Sequence, residues 1–340
     1  MSKKIAVVIL NWNGKKLLQQ FLPDVIRHSE ALADIIIADN ASTDDSINFI
    51  NSEFPQVEVI KNSSNLGFTG GYNEALKNLF HPYFVLLNND VLVTENWLEP
   101  LFSLMESDET IGACQPKILS YHDQSSFEYA GAGGGFIDYL GYPFCRGRIF
   151  NELEKDLGQY NDTIPVFWAS GACMFVRSDV FKKLNGFDEL FFAHMEEIDF
   201  CWRSQLQGYS IYYVGNSTVY HVGGGTLAKN NPRKTYLNFR NNLLMIYKNA
   251  GNKRKAILRK RRFFDLLAAL KFLITNGKND ADAVLKAHRD FKQLRNKVDS
   301  FKNSEEKLVQ PLTIYRQSIL WDYYLCSRRK FLKLRWLKNK

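Results

Sequence analysis

The sequence predicts an α/β fold, a mostly parallel sheet with helices on both faces, followed by a helical extension. Three observations carry this expectation. Short apolar runs alternate with stretches of helical periodicity through the first part of the chain. Each run stops abruptly at Asn, Asp or Gly, at the carboxyl edge where an open α/β sheet binds its ligand. Beyond Asn249 the composition shifts to basic clusters separated by apolar segments.

Residues 5–10 form an unbroken apolar run that reads as a buried strand, and it ends in Asn11-Trp12-Asn13-Gly14. Residues 15–28 then carry Leu17, Leu18, Phe21, Leu22 and Val25 at helical spacing. A second strand at 35–38 ends in Asp39-Asn40-Ala41-Ser42-Thr43-Asp44, with a helix expected behind it. Ser42 or Thr43 would cap that helix, and Asp44 and Asp45 would occupy its first turn. A third strand at 57–60 precedes Asn65-Leu66-Gly67-Phe68-Thr69-Gly70-Gly71-Tyr72-Asn73 and a helix running to about Leu79.

The fourth strand, at 83–87, is the most informative, because it stops at Asn88-Asn89-Asp90. Short amide and carboxylate side chains there suit a hard divalent cation that also holds substrate phosphates. The plain alternative is a strand followed by an Asx-type turn. No G-x-G-x-x-G follows the first strand and no P-loop Lys-Ser/Thr appears, which disfavours an ordinary dinucleotide fold. A nucleotide here would be read by Asn and Asp side chains, with its phosphates met through a metal.

Two later stretches carry further chemistry. Phe191-Phe192-Ala193-His194-Met195-Glu196-Glu197-Ile198-Asp199-Phe200-Cys201-Trp202-Arg203 crowds three acids together. A helix beginning near Glu196 puts Ile198, Cys201 and Trp202 on one apolar face and lets Asp199 pair with Arg203. Glu197 borders that face, where desolvation raises a carboxyl pKa while the helix N-terminus lowers it. The plain reading is an acidic first turn favoured by the helix dipole. In Val219-Tyr220-His221-Val222-Gly223-Gly224-Gly225-Thr226, a histidine precedes three glycines that permit close approach to a ligand. Alone, His221 reads as a structural histidine; beside Asn88-Asn89-Asp90 it becomes a candidate metal ligand.

These stretches, in this order, resemble the family-2 glycosyltransferases of the GT-A fold, and in particular their rhamnosyltransferase-like branch. Val7-Val8-Ile9-Leu10-Asn11-Trp12-Asn13-Gly14, Ala38-Asp39-Asn40-Ala41-Ser42-Thr43-Asp44, the Asn65 to Asn73 stretch and Leu87-Asn88-Asn89-Asp90 carry the resemblance first. Trp168-Ala169-Ser170-Gly171-Ala172-Cys173-Met174-Phe175-Val176-Arg177, Gly186-Phe187-Asp188-Glu189 and Glu196-Glu197-Ile198-Asp199 extend it, so that it spans residues 4 to 249.

The resemblance implies a GT-A catalytic domain at 1–250, with a nucleotide-sugar half at about 1–110 and an acceptor half at about 111–250. It implies an inverting, metal-dependent hexosyltransferase, acting on a dTDP- or UDP-sugar and a glycan or lipid-linked acceptor in cell-surface polysaccharide synthesis. By the same resemblance Asp39 meets the pyrimidine, and Asn11, Asn13, Asn65, Gly71, Asn73 and Asn89 line the nucleotide pocket. Asp90 binds Mg²⁺ or Mn²⁺, His221 ligates the same ion, and Asn88 stands where the family usually has an acid. Glu197 is the general base, in the second place of a pair that the family usually writes Glu-Asp. Glu196, Trp168 and Asp199 belong to the acceptor side or its loop. A catalytically inactive binding protein of the same fold and a nucleotidyltransferase stand as alternatives.

Composition adds limits. With 340 residues and a net charge of +8, the chain has room for one catalytic domain and a basic, mainly helical extension at 251–340. Five cysteines without a C-x-x-C suggest reduced, buried thiols and a cytoplasmic setting. No signal peptide is expected, because residues 1–4 run straight into the first strand. Residues 131–147, rich in Gly and Tyr, read as a hairpin or loop near the acceptor side. The clusters Lys253-Arg254-Lys255, Arg259-Lys260-Arg261-Arg262 and Arg328-Arg329-Lys330 flank apolar stretches too short and too charged to span a bilayer. They suit either the cytoplasmic face of an anionic membrane or a tail packed on the catalytic domain or on a second subunit of an oligomer. No motif for binding nucleic acid accompanies the charge.

Overall fold

The computed structural model describes residues 3–223, 231–298, 311 and 313–336. Gly224, Gly225 and Thr226 of the expected ligand loop, and Leu337 and residues 338–340 of the tail, lie outside the described residues.

Strands β1 (Ile5–Asn11), β2 (Ala33–Asp39), β3 (Glu58–Lys61) and β4 (Tyr83–Asn88) run parallel in the order β3-β2-β1-β4. Helices α1 (Lys15–Ser29), α2 (Ser46–Glu53) and α3 (Gly67–Leu76) connect them. Successive β1 side chains face opposite layers. Ala6 and Val8 join Tyr72 and Leu76 of α3, whereas Ile5, Val7 and Ile9 join Leu18, Leu22 and Val25 of α1. A strand covered on both faces needs an apolar residue at every position, hence the unbroken run.

The register sets the functional edge. Asn11 stands opposite Asp39, and Leu10 opposite Asn88, so three strand ends form one polar row. Chain order reverses at β1, which places that row at the topological switch point, where open α/β sheets bind ligands.

After β5 (Val91–Val93), α4 (Leu98–Ser107) and β6 (Ile111–Ser120), the chain builds a second, smaller sheet. Its strands are β7 (Gly135–Asp138), β8 (Pro143–Cys145), β9 (Arg148–Ile149) and β10 (Glu152–Leu153), and β7 and β8 form the hairpin expected at 131–147. Strands β11 (Thr163–Val166) and β12 (Cys173–Arg177) return to the main sheet. Beyond α5 (Ser178–Lys183) and α6 (Glu196–Leu206), β13 (Ser210–His221) completes it, with nine strands among the described residues. Because β12 lies antiparallel to β4 and β6, the parallel core continues into a mixed half.

The remaining elements are α7 (Pro232–Asn249), α8 (Arg254–Thr275), α9 (Lys278–Leu294), β14 (Ile314–Tyr315) and α10 (Ile319–Tyr324). The extension is mainly helical, as expected, but it does not stand apart from the rest. Helix α9 packs on α7 and α8, β14 pairs with β7, and the Ile319 N–H donates to Asp138. Phe331, Leu334 and Trp336 join the core around Phe136 and Phe144, whereas Trp321, Tyr324 and Leu332 stay exposed.

Three local expectations change. Helix α2 begins at Ser46: Ser42 is drawn into bonds with Asn11 and the Asn13 N–H, while Asp44, ahead of the helix, accepts from the N–H groups of both Lys15 and Ser46. Helix α3 stops at Leu76, short of Leu79. All five cysteines are free thiols, but Cys326 is exposed.

A buried polar cluster joins α8 to the hairpin and to α9. Arg261 pairs with Asp265 at 3.3 Å and also meets Asn242, while Asp265 lies 2.9 Å from the Tyr142 hydroxyl and 3.0 Å from His288. Burial would raise the Asp265 carboxyl, yet the Arg261 guanidinium and His288 hold it below the usual range. Asp265→Ala is expected to cost about 3–5 kcal/mol in urea melts, since Arg261 is left buried without its counter-charge. A cost below about 1 kcal/mol would show that the guanidinium escapes to water.

Candidate active site

The polar row at the sheet edge is held by its own hydrogen bonds. Asn11 is fully buried, and its Nδ2 reaches Asp39 Oδ1 at 3.2 Å, Ser42 Oγ at 3.2 Å and Ser46 Oγ at 3.0 Å. Its Oδ1 accepts from Asn89 Nδ2 at 3.2 Å. A side chain at Gly14 would strike Asn89 and Asn11 directly, so glycine is required beside this pair. Asn11 thus serves as a beam between β1, β2 and β4, with its polar atoms used internally. Asp39 accepts from Asn11 with one oxygen and from the Ser42 N–H with the other, at 3.1 Å. A carboxylate offers about four lone-pair directions, so Asp39 keeps acceptor capacity for a ligand N–H. Asn13, in the left-handed region at φ 52°, accepts from the N–H groups of Thr43 and Asp44.

Around the next edge Asn40 is the hub, although no local pattern separates it from its neighbours in Asp39-Asn40-Ala41-Ser42. Its Nδ2 donates to Asn65 Oδ1 and the Gly67 carbonyl, and its Oδ1 accepts from Asn62 and the Leu66 N–H. A Cβ on Gly71 would come within 2.8 Å of Leu10, so the glycine lets α3 approach β1. Asn73 exchanges both of its amide groups with the backbone of Phe187, tying α3 to the loop that leads towards α6.

Asp90, His221 and Glu128 form a buried line. Asp90 Oδ1 lies 3.1 Å from His221 Nε2, and Glu128 Oε2 lies 3.5 Å from Nδ1. Asn88 Nδ2 is 3.4 Å from the same Nε2. Burial works against charge on the imidazole, but the two carboxylates outweigh it and push its pKa up to about 10. Both carboxyls are held below their usual range, with burial opposing and His221 prevailing. The line therefore favours positive charge, the electrostatic condition for a divalent cation. Cis ligands of an octahedral ion at about 2.1 Å stand about 3 Å apart, which the Asp90–His221 separation matches. Glu128 faces Nδ1 as an ion-pair partner, and Nδ1 is buried without a hydrogen bond. No spacing or periodicity marks Glu128 in the sequence; β6 and β13 bring it to His221. Among the described residues, no three His, Cys, Asp or Glu side chains converge as a metal-holding group.

Glu196 and Glu197 open α6 behind a strained loop. Phe192, His194 and Met195 all have φ between 64° and 72°. Such non-glycine conformations persist only where surrounding structure enforces them. Asn241 does so here: its Nδ2 donates to the carbonyls of Phe191, Ala193 and His194 at 2.8–2.9 Å. One carboxyl oxygen of Glu196 and one of Glu197 are buried without a hydrogen-bond partner, as is His194 Nε2. Burial raises both carboxyls, Glu196 strongly and Glu197 to about 7, and it lowers His194 to about 4.

Asp199, one turn on, pairs with Arg203 at 2.8 Å as the i,i+4 spacing predicts. It also meets Lys248 at 3.0 Å and Asn249 at 2.7 Å. Trp168 is buried and donates from Nε1 to the Phe136 carbonyl. Both side chains are thus engaged within the fold. The strand-end row and α6 are linked through Gly171. The Asn88 N–H donates to the Ala172 carbonyl, and a Cβ on Gly171 would stand 3.9 Å from the Glu197 Cβ.

Comparison with known proteins matches the chain to a family model. The model described as glycosyl transferase family 2 covers residues 6–184. The N-acetylglucosaminyl-diphospho-decaprenol L-rhamnosyltransferase of Mycobacterium tuberculosis is 25% identical over 239 residues, spanning 65% of this chain and 76% of that protein. Rhamnosyltransferase WbbL of Escherichia coli is 28% identical over 136 residues, or 39% of this chain and 49% of WbbL. Among solved structures, GalNAc-T7 with UDP, GalNAc and Mn²⁺ aligns with a TM-score of 0.58 at 16% identity, over 91% of this chain and 59% of that one. Mannosyltransferase PcManGT from Pyrobaculum calidifontis, in complex with GDP-Man and Mn²⁺, aligns at 0.53 and 13% identity, over 87% and 79%. These structural likenesses establish the GT-A fold.

The raised carboxyls make a stability prediction. A folded-state pKa above the ordinary glutamate value stabilises at low pH, and that stabilisation is lost as pH rises from about 4.5 through about 7. Glu197→Gln cannot ionise, so it is expected to be about 1–3 kcal/mol more stable than the wild type at pH 8. The advantage should shrink on going to pH 4.5, as followed by chemical denaturation at both values. An advantage independent of pH would refute desolvation as its cause.

Proposed function

The chain belongs to glycosyl transferase family 2 and is a glycosyltransferase, and from that premise we propose an inverting transfer from a dTDP- or UDP-sugar. The acceptor is a hydroxyl of a glycan or lipid-linked saccharide in cell-surface polysaccharide synthesis, on the cytoplasmic side. The observation that carries this reading is the Glu196–Glu197 pair. It holds buried, unpartnered carboxyl oxygens, a base tuned to about pH 7, and a connection through Gly171 to the polar strand ends. Both the mycobacterial and the E. coli relative are named as rhamnosyltransferases, which supports a rhamnose-like donor sugar.

On this reading Asp39 accepts from the pyrimidine, and the Asn11–Asn89 beam fixes the edge on which the nucleotide rests. Asp90 and His221 would hold Mg²⁺ or Mn²⁺, with the Glu128 carboxylate facing the other imidazole nitrogen. A divalent ion held there would supply positive charge to the departing diphosphate. The acceptor oxygen bonds to the anomeric carbon as the bond to the diphosphate oxygen breaks, and the acceptor proton passes to the Glu197 carboxylate. A single base without a protein nucleophile gives inversion, by the geometric logic known for glycosidases. Glu196, more strongly held neutral, keeps the pair's total charge low while Glu197 is ionised.

Glu197→Gln is expected to cut turnover roughly 10²- to 10⁴-fold with little change in donor affinity. Wild-type kcat/KM should fall about tenfold per pH unit below pH 7, and the residual Gln rate should lose that limb. If Glu196→Gln is crippled and Glu197→Gln nearly normal, the roles are reversed. Asp90→Ala should abolish metal-stimulated turnover while the circular dichroism spectrum is kept. Full activity of the wild type in excess chelator would refute the metal assignment.

A further inference from the structure

Helix α8 is built inside out. Its buried stripe is Arg261, Asp265 and Ala269, each one turn beyond the last, closed by Asn242, Tyr142 and His288. Its outward stripe is Phe263, Leu266, Leu267, Leu270, Leu273 and Ile274, between 45% and 79% exposed. Steps of three and four residues put these six on one face. A helix packed on protein in water ordinarily shows the reverse polarity. A contiguous apolar face of this kind marks a contact surface.

Its surroundings select the occupant. Lys255, Arg259, Lys260 and Arg262, all exposed, stand at the N-terminal end of the stripe, and the acid of α8, Asp265, is turned inward. Lys271 donates to the Tyr324 hydroxyl at 3.1 Å, which brings exposed Trp321, Tyr324 and Leu325 alongside. Cations of one sign, aliphatic side chains and interfacial aromatics together fit an anionic bilayer. A second copy of a chain with net charge +8 would meet the patch with like charge. No helix among the described residues is long and apolar enough to cross a membrane.

We propose that the outward face of α8, flanked by the aromatic side chains of α10, docks on anionic phospholipid, with the helix lying in the plane of the interface. Its apolar stripe reaches the acyl boundary while Lys255, Arg259, Lys260 and Arg262 meet the headgroup phosphates. This surface is distinct from the transfer site. It is read without donor or acceptor, so its failure leaves the proposed reaction standing.

The test is co-sedimentation of the full chain with vesicles of phosphatidylglycerol and phosphatidylcholine, and of phosphatidylcholine alone. The wild type is expected to pellet with the anionic vesicles at low salt and to do so less at high salt. The double variant Leu266→Glu, Leu270→Glu should lose at least about tenfold in partitioning, since two inserted leucines are forfeited. Its circular dichroism and unfolding midpoint should match the wild type, because both side chains already face water. A wild type that stays in the supernatant with anionic vesicles overturns the proposal, and so does a double variant that pellets equally well. Light scattering that finds a wild-type dimer, dissolved to monomer by the double variant, assigns the stripe to self-association and overturns it too.

Discussion

Asp199 is the charge around which α6, α7 and the loop before α6 are assembled. It is wholly inside the protein, yet Arg203, Lys248 and Asn249 all converge on it. Arg203 also donates to the carbonyls of Leu184 and Gly186, and Lys248 reaches Asp188. One carboxylate therefore fastens α6, α7 and the loop at 184–188 at a single point. Two turns earlier on α7, Asn241 grips the loop that delivers Glu196 and Glu197. The positive-φ residues of that loop each cost about 1–3 kcal/mol, and a firmly seated α7 is what sustains them.

Much of this was legible in the sequence where the physics is local. Strands β1 and β4 are covered on both faces, and such burial writes an unbroken apolar run that ends where the sheet does. Helix α6 starts at Glu196 as its periodicity predicts, and Asp199 meets Arg203 one turn away. The polar residues at the strand ends fall in one row because parallel pairing leaves little freedom of register.

What stayed hidden depends on partners distant in sequence. Nothing near Asp199 announces Lys248 or Asn249, and nothing near Glu128 announces His221. Asn11 reads as a pocket residue, yet the convergence of β1, β2 and β4 uses up its polar atoms. Ser42 has the chemistry of a helix cap, but Asn11 and Asn13 compete for it and win. The apolar residues at 263–274 read equally as a membrane-facing or a packed stripe, and nothing near them announces that the buried side of α8 is an ion pair. Strand β14 is two residues long, too short for any alternation to show.

The pairing of β14 with β7 bears on how the chain matures at the ribosome. Strand β7 and its hairpin emerge first, but the strand that completes their edge, with the aromatic rings that cover Phe136 and Phe144, is made only after the whole main sheet and α7 to α9. At 5–20 residues per second the interval is roughly 10–35 s. Throughout it the nascent hairpin keeps an open edge and an uncovered apolar face, which chaperones bind and neighbouring nascent chains can join. A stop codon shortly before Tyr315 would make that interval permanent, leaving a polypeptide with its main sheet intact and its second sheet unfinished.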